Sequence, residues 1–294
     1  MLTTRRARSI VTAGLLILGL SVPAPGLAQT DRTWLEPFPS FRIADNLYYV
    51  GSKGLASYLI TTAQGHILIN SDLEANVPLL RASIEQLGFK FSDIKILLIN
   101  QSHWDHAAGS AAIIKLTGAR YMVMDGDASV VESGGKTDFH YGGDPSTHYP
   151  PVKVDRTLRD GDRVTLGDAV LTAHLTPGHT KGCTTWTLQA TVDGRRRNVV
   201  IIGGTAVNPG FKLFNNARYP QIEPDYERAF KVLKSLPCDI PLGAHGSYFD
   251  MESKHQKLIA GDRNAFIDAD GYTTYIADAE KSFQQERARQ KAAR

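Results

Sequence analysis

Three metal-philic residues, His103, Asp105 and His106, lie within four positions just after the apolar run Ile96-Leu97-Leu98-Ile99. Imidazole nitrogens and a carboxylate oxygen are donors that suit zinc. Two more histidines occupy the same kind of place, His179 in Thr176-Pro177-Gly178-His179-Thr180 and His245 in Gly243-Ala244-His245-Gly246. Each follows a strand-like run and sits beside glycine. An isolated histidine is more often a satisfied structural residue than a ligand. Three separate strand ends that deliver His and Asp groups point instead to a metal centre. An ion held there lowers the pKa of bound water from ~16 to about 7 and so makes a nucleophile at neutral pH.

The elements that must hold these residues are legible around them. Residues 47–50, 56–60 and 66–69 are β-rich, the last two runs separated by a turn at Gln64-Gly65, and they predict an antiparallel meander. A helix is expected over 75–87, with Val77, Leu80, Ile84 and Leu87 on one face and Gly88 closing it. The run 96–99 does not alternate, as suits a strand buried on both faces. A helix over 107–116 and a strand over 121–124 follow. In the second half, strands are expected at 163–166, 169–174, 184–188 and 198–202, then a helix at 224–236 and a strand at 239–242. Strand clusters followed by helices suggest two sheets packed face to face with helices outside. Tyr272, Tyr275, Ile276, Ala279 and Phe283 mark a last helix laying one face on the body, with a tail rich in Gln, Arg and Lys expected to fray. Between Ser133 and Val152 lies a long Gly-rich loop carrying Phe139, His140 and Tyr141. Loops of that length in a compact domain are usually functional.

The string Gln101-x-His103-x-Asp105-His106, then His179 in a Pro-Gly-His-Thr turn, then His245, resembles the metallo-β-lactamase superfamily over residues 47–245. The resemblance implies an α+β fold, a four-layer αββα sandwich with a binuclear metal site along the edge between its halves. Gly182-Cys183-Thr184-Thr185-Trp186, Asn208-Pro209-Gly210-Phe211-Lys212-Leu213 and Pro150-Pro151-Val152-Lys153-Val154-Asp155 look most like subclass B3 β-lactamases. Carried over position by position, Gln101, His103 and His179 would hold a first zinc ion, and Asp105, His106 and His245 a second. A zinc-bound hydroxide would attack the lactam carbonyl, with Asp105 as the catalytic residue that orients the water. Phe139 and Tyr141 either close over an apolar substituent or merely anchor their loop. Thr205 and Asn208, with Lys212 behind them, are candidates for the substrate carboxylate.

Two departures from the family pattern matter. Its usual first residue is His, and Gln101 offers a neutral carboxamide oxygen, a weaker zinc donor, as it does in a few subclass B3 members. The first site is then either retained at reduced affinity or left partly empty. At Gly203-Gly204-Thr205, glyoxalase II, lactonase and many phosphodiesterase relatives have an Asp that bridges both metals, and Gly204 has no side chain to do so. Subclasses B1 and B2 use a Cys near there, for which Thr205 is no substitute.

Composition sets the remaining bounds. With 42% hydrophobic and 21% charged residues, the 294-residue chain is an ordinary globular one, and disorder and coiled coils are excluded. Residues 1–28 combine Arg5, Arg6 and Arg8, an apolar run and Gly26-Leu27-Ala28, a secretory signal pattern with cleavage after Ala28. The run is interrupted by Thr12, Gly14 and Gly19 and is shorter than the roughly 20 residues of a membrane span. A single domain, 29–294, is expected in the periplasm, by the Sec or the twin-arginine route. Without the leader, 30 basic residues face 30 acidic ones. Nothing electrostatic then draws the chain to nucleic acid or to an anionic membrane. The expected partner is a small-molecule β-lactam, and the expected state a monomer. Ser92-Asp93-Ile94-Lys95 matches the S-x-x-K string of serine β-lactamases, but S-D-N and K-T-G are missing and the match precedes a buried strand. A zinc hydrolase of other cyclic esters or amides, and a non-catalytic periplasmic zinc-binding protein, remain the alternatives. Cys183 and Cys238 are expected free and buried, His174 packed on a strand, and His255 on an exposed helix.

Overall fold

The apolar run at 96–99 has no polar face. Ile96 and Leu98 enter one core, Leu97 and Ile99 a second. The same split recurs at Ile67 and Ile69 against Leu68, and at Val199 and Ile201 against Val200 and Ile202, the latter two in a third core. Successive strand side chains point to opposite faces, so an unbroken apolar run is satisfied only where both faces are covered. Each such buried Leu or Ile stabilises by roughly 1.5–3 kcal/mol.

The computed structural model describes residues 31–293, so the leader and its cleavage after Ala28 lie outside the described residues. A first sheet carries seven strands in chain order, β1 (Phe41–Ala44), β2 (Leu47–Tyr49), β3 (Tyr58–Thr62), β4 (Gly65–Ile69), β5 (Ile94–Leu98), β6 (Arg120–Met124) and β7 (Arg156–Leu158). Pairing is antiparallel as far as β4, the expected meander, and parallel beyond it. The second sheet comprises β8 (Arg163–Leu166), β9 (Ala169–Leu175), β10 (Thr184–Val192), β11 (Arg195–Ile202) and β12 (Ile240–Gly243), and only the β11–β12 pair is parallel. Tyr58, Ile60, Ile96 and Leu98 of the first sheet share a core with Leu171, Trp186, Val199 and Leu242 of the second. Helices α1 (Val77–Gln86), α2 (Trp104–Ala107), α3 (Ser110–Thr117), α4 (Asp125–Glu132), α5 (Ile222–Ser235), α6 (Met251–Ile259) and α7 (Ala269–Ala292) complete the chain. Leu80 and Ile84 of α1 and Ile113 of α3 cover the first sheet. Tyr226 and Phe230 of α5, with Ile276 and Phe283 of α7, cover the second. The result is the αββα sandwich. Among the described residues, no helix is long and apolar enough to cross a membrane.

Strand directions decide where the polar loops meet. β9 and β11 are both antiparallel to β10, and β12 is parallel to β11, so β9, β11 and β12 end on one edge. Asn100, just past β5, joins that edge: its carbonyl accepts from Thr184 N at 2.7 Å and its Nδ2 donates to Thr184 O at 2.9 Å. The segments after four strands thereby gather along one rim.

The structure corrects three expectations. The helix expected over 107–116 is broken at Gly109, where a Cβ would lie 2.3 Å from Ser71 O, so the backbone of the Ser71 segment passes too close for a side chain. The break leaves α2 as a single turn carrying Asp105 and His106, with His103 at its N-cap. His255 does lie on a helix, α6, but it is buried, with ring centroids 5.0 Å from Phe38 and 4.7 Å from Phe41. The tail of α7 does not fray: Gln290 Nε2 donates to Phe211 O at 2.7 Å while its Oε1 accepts from Leu213 N at 2.8 Å.

Candidate metal centre

Asp105 and His106 are neighbours on the single turn of α2, and His245 reaches them from the end of β12. Asp105 Oδ2 lies 3.1 Å from His106 Nε2 and 3.5 Å from His245 Nε2, and the two Nε2 atoms are 3.2 Å apart. Three donor atoms so close, all with lone pairs to offer, form a group able to hold a metal ion. Burial lowers His245 to about 4, helped by His106, so its imidazole is neutral at pH 7. Burial alone would raise Asp105, but His106, His245 and His103 outweigh it and hold the carboxyl well below its ordinary range. A neutral imidazole and an ionised carboxylate are the ligand forms zinc requires.

A second group stands beside the first. His103 and His179 have ring centroids 4.9 Å apart. His179 Nδ1 lies 2.8 Å from Ala206 O and donates to it, which leaves Nε2 as its free lone pair. Burial lowers His179 to about 3, with His103 adding to the effect. Gln101 is buried, and its Oε1 has no hydrogen-bond partner. A buried acceptor left unmade costs about 1–3 kcal/mol, which a cation at that oxygen would offset. The donor chemistry of both groups therefore fits zinc.

Two features hold the loops in register. Asp127, on α4, accepts from Ser102 N at 2.9 Å and Thr180 Oγ1 at 2.7 Å through Oδ2, and from Gly182 N at 2.8 Å through Oδ1. It ties the segment bearing Gln101 and His103 to the one bearing His179. Nothing in the local sequence singles it out, because its partners are far along the chain. Gly204 lies against His179, where a Cβ would be 2.2 Å from the ring Cδ2. The position that lacks a bridging carboxylate also has no room for one.

The proposed substrate contacts divide. Tyr141 stands edge-on to His103 and Trp104, at 5.0 Å each, and its Oη accepts from Asn208 Nδ2 at 2.9 Å. Phe139 is buried between Phe211 and Tyr219, at 5.0 Å from each, which makes it the loop's anchor. Thr205 Oγ1 pairs with Tyr275 Oη at 2.7 Å, and Lys212 is exposed. Trp34 flanks the other side, its ring 5.9 Å from His245. Both cysteines are free, Cys183 buried and Cys238 half-buried rather than fully so. Burial pushes the Cys183 thiol up to about 12, and its sulfur accepts from Gly204 N at 2.9 Å. Away from the centre, His174 Nε2 meets Thr187 Oγ1 at 2.8 Å on the face of the second sheet.

Comparison with known proteins identifies the family. Residues 54–245 match the metallo-beta-lactamase superfamily. The native FEZ-1 metallo-beta-lactamase from Legionella gormanii is 56% identical, with 87% of this chain and 98% of that one covered and a TM-score of 0.86. BJP-1, a subclass B3 metallo-beta-lactamase of Bradyrhizobium japonicum, is 36% identical, covering 89% and 98%, with a TM-score of 0.83. A hydroxyacylglutathione hydrolase of Rhodospirillum rubrum is 33% identical over 101 residues, and that stretch spans only 30% of its length.

Proposed function

Because this chain belongs to the metallo-beta-lactamase superfamily, we propose that its mature form is a zinc-dependent β-lactamase of the subclass B3 kind, which opens the β-lactam amide by hydrolysis and confers resistance. The observation that carries the reading is the convergence of Asp105, His106 and His245 at one point, and the buried, unpartnered Gln101 oxygen adds to it. Gln101, His103 and His179 would hold one zinc ion, and Asp105, His106 and His245 the other. When bound, such ions supply activation of water and polarisation of a carbonyl.

The chain's own groups account for the rest. Water oxygen bonds to the lactam carbonyl carbon and the C–N bond breaks. The Asp105 carboxylate orients the water, accepts its proton and returns it to the ring nitrogen that leaves. Asp105 stays ionised at neutral pH because His106, His245 and His103 surround it, so it is ready to accept. Thr205 and Asn208 offer a hydroxyl and an amide to the substrate carboxylate. If Tyr275 Oη donates to Thr205 Oγ1, the threonine proton is free to turn toward the substrate. Tyr141 forms the aromatic lip. The leader pattern of residues 1–28 supports action in the periplasm after export.

Zinc-loaded mature chain, residues 29–294, should hydrolyse nitrocefin and a carbapenem, lose that activity to a chelator and keep it in the presence of clavulanate. Activity indifferent to chelation would refute the zinc mechanism. Zinc binding without hydrolysis of any β-lactam would favour a binding protein or a hydrolase of other cyclic esters or amides.

A further inference from the structure

Asp138 stands in the Gly-rich loop with its carboxylate almost wholly buried. Its Oδ1 accepts from two successive backbone amides, His140 N at 2.8 Å and Tyr141 N at 2.6 Å. Its Oδ2 points at His103, 3.5 Å from Nε2, and both side chains are less than 5% exposed. That separation is long for a hydrogen bond, yet His103 Nε2 has no hydrogen-bond partner nearer. A buried N–H without an acceptor is costly, and the carboxylate oxygen is the acceptor placed to receive it.

We propose that Asp138 is the positioning residue for His103: it holds the proton on Nε2, so that Nδ1 is the lone pair left for the first metal, and it ties this ligand to the Tyr141 lip. A histidine ligand is oriented by whatever its other nitrogen donates to, and loss of such a partner typically costs about 10–100-fold in metal affinity or activity. The same carboxylate fixes both the ring and the backbone of the lip, so ligand geometry and substrate loop are set by one side chain. The inference rests on His103 being a first-site ligand.

Asp138→Asn separates the two duties. The amide oxygen can still accept from His140 N and Tyr141 N, but the amide nitrogen faces His103 with N–H groups and favours the tautomer that puts a proton on Nδ1. Zinc titration against a competing chelator should show first-site affinity down about 10–100-fold with second-site affinity unchanged, the latter also reporting that the variant is folded. At saturating cobalt(II), the d–d spectrum of Asp138→Asn should match wild type, because the ligand set is the same. Asp138→Ala, which also frees the loop amides, should in addition raise KM. Wild-type affinity at both sites in Asp138→Asn would overturn the proposal, as would an altered cobalt spectrum, which would make Asp138 a ligand. His103→Ala is the separate check on the ligand assignment. If it leaves first-site binding intact, that assignment fails; if it abolishes first-site binding while Asp138→Asn does not weaken it, only the role of Asp138 fails.

Discussion

Gly204→Ala adds one methyl group at a place where the fold has no space. Its Cβ would lie 2.2 Å from His179 Cδ2, 2.4 Å from Cγ and 2.8 Å from Cβ. Carbon atoms rest at about 3.5–4.0 Å, so ring and backbone must part by roughly 1 Å or more. The imidazole is held by Nδ1 donating to Ala206 O at 2.8 Å, two residues from the substitution, so the movement strains that bond directly. Overpacking of this kind costs about 1–3 kcal/mol, a fall in Tm of roughly 2–12 °C for a domain of this size. Misplacing a group at a reactive centre by 1 Å can cost about 100-fold in rate. Nitrocefin kinetics, zinc titration with a competing chelator and thermal melts should therefore show a modest loss of stability beside a large loss of rate and of first-site affinity. Gly203→Ala is the control, since its Cβ would meet Cys183 Sγ at 2.6 Å and Thr184 O at 2.8 Å rather than a ligand. It should lower Tm while metal affinity holds. If Gly204→Ala lost only stability, or nothing, the contact would be slack and His179 would not depend on it.

Gln101→His should tighten the first metal site and keep activity, whereas Gln101→Ala should retain one zinc ion and lose part of its rate; equal two-zinc affinity in wild type and Gln101→Ala would show that Gln101 is not a ligand. Asp105→Ala should remove most of kcat, while His174→Ala, which loses a bond to Thr187, should keep kcat and lower only Tm; equal losses in two folded variants would overturn the division between ligands and structural histidines. Gln290→Leu removes two hydrogen bonds that hold residues 211–213, next to the substrate-binding candidate Asn208, roughly 1–3 kcal/mol of local order, and should raise KM severalfold with metal affinity unchanged; an unchanged KM would show that α7 does not position this segment for the substrate. Metal-free protein should lose stability as pH falls from about 6.5 toward 4. Burial lowers His66, His140, His174, His179, His245 and His255, so the unfolded chain takes up protons that the folded chain refuses. His103, raised by Asp138 against its burial, and Asp72 and Asp127, raised by burial, act in the opposite sense but are outnumbered. Melts in chelator between pH 7.5 and 4.5 that stayed level would contradict this.

What the sequence settled by itself is local in the chain. Residues 96–99 announce a strand covered on both faces, because an apolar run with no polar member leaves neither face for water. Donor types at 101–106, 179 and 245 stood out because zinc ligands are drawn from few side chains and crowd at strand ends. Their meeting was decided in three dimensions: His245 reaches His106 across 139 positions, because β9, β11 and β12 share a direction and Asn100 joins β5 to β10. Only the fold brings the backbone N–H groups of Ser102 and Gly182 to Asp127 and sets Asp138 against His103. Phe139 and Tyr141, two residues apart, were indistinguishable as lip or anchor until packing put Phe139 beneath Phe211 and left Tyr141 against His103. Gly204 reads as a missing carboxylate in one dimension and as a point of contact with His179 in three. Residue chemistry and hydrophobic periodicity are properties of short segments. Close approach, burial and the pairing of distant polar groups arise only when those segments pack.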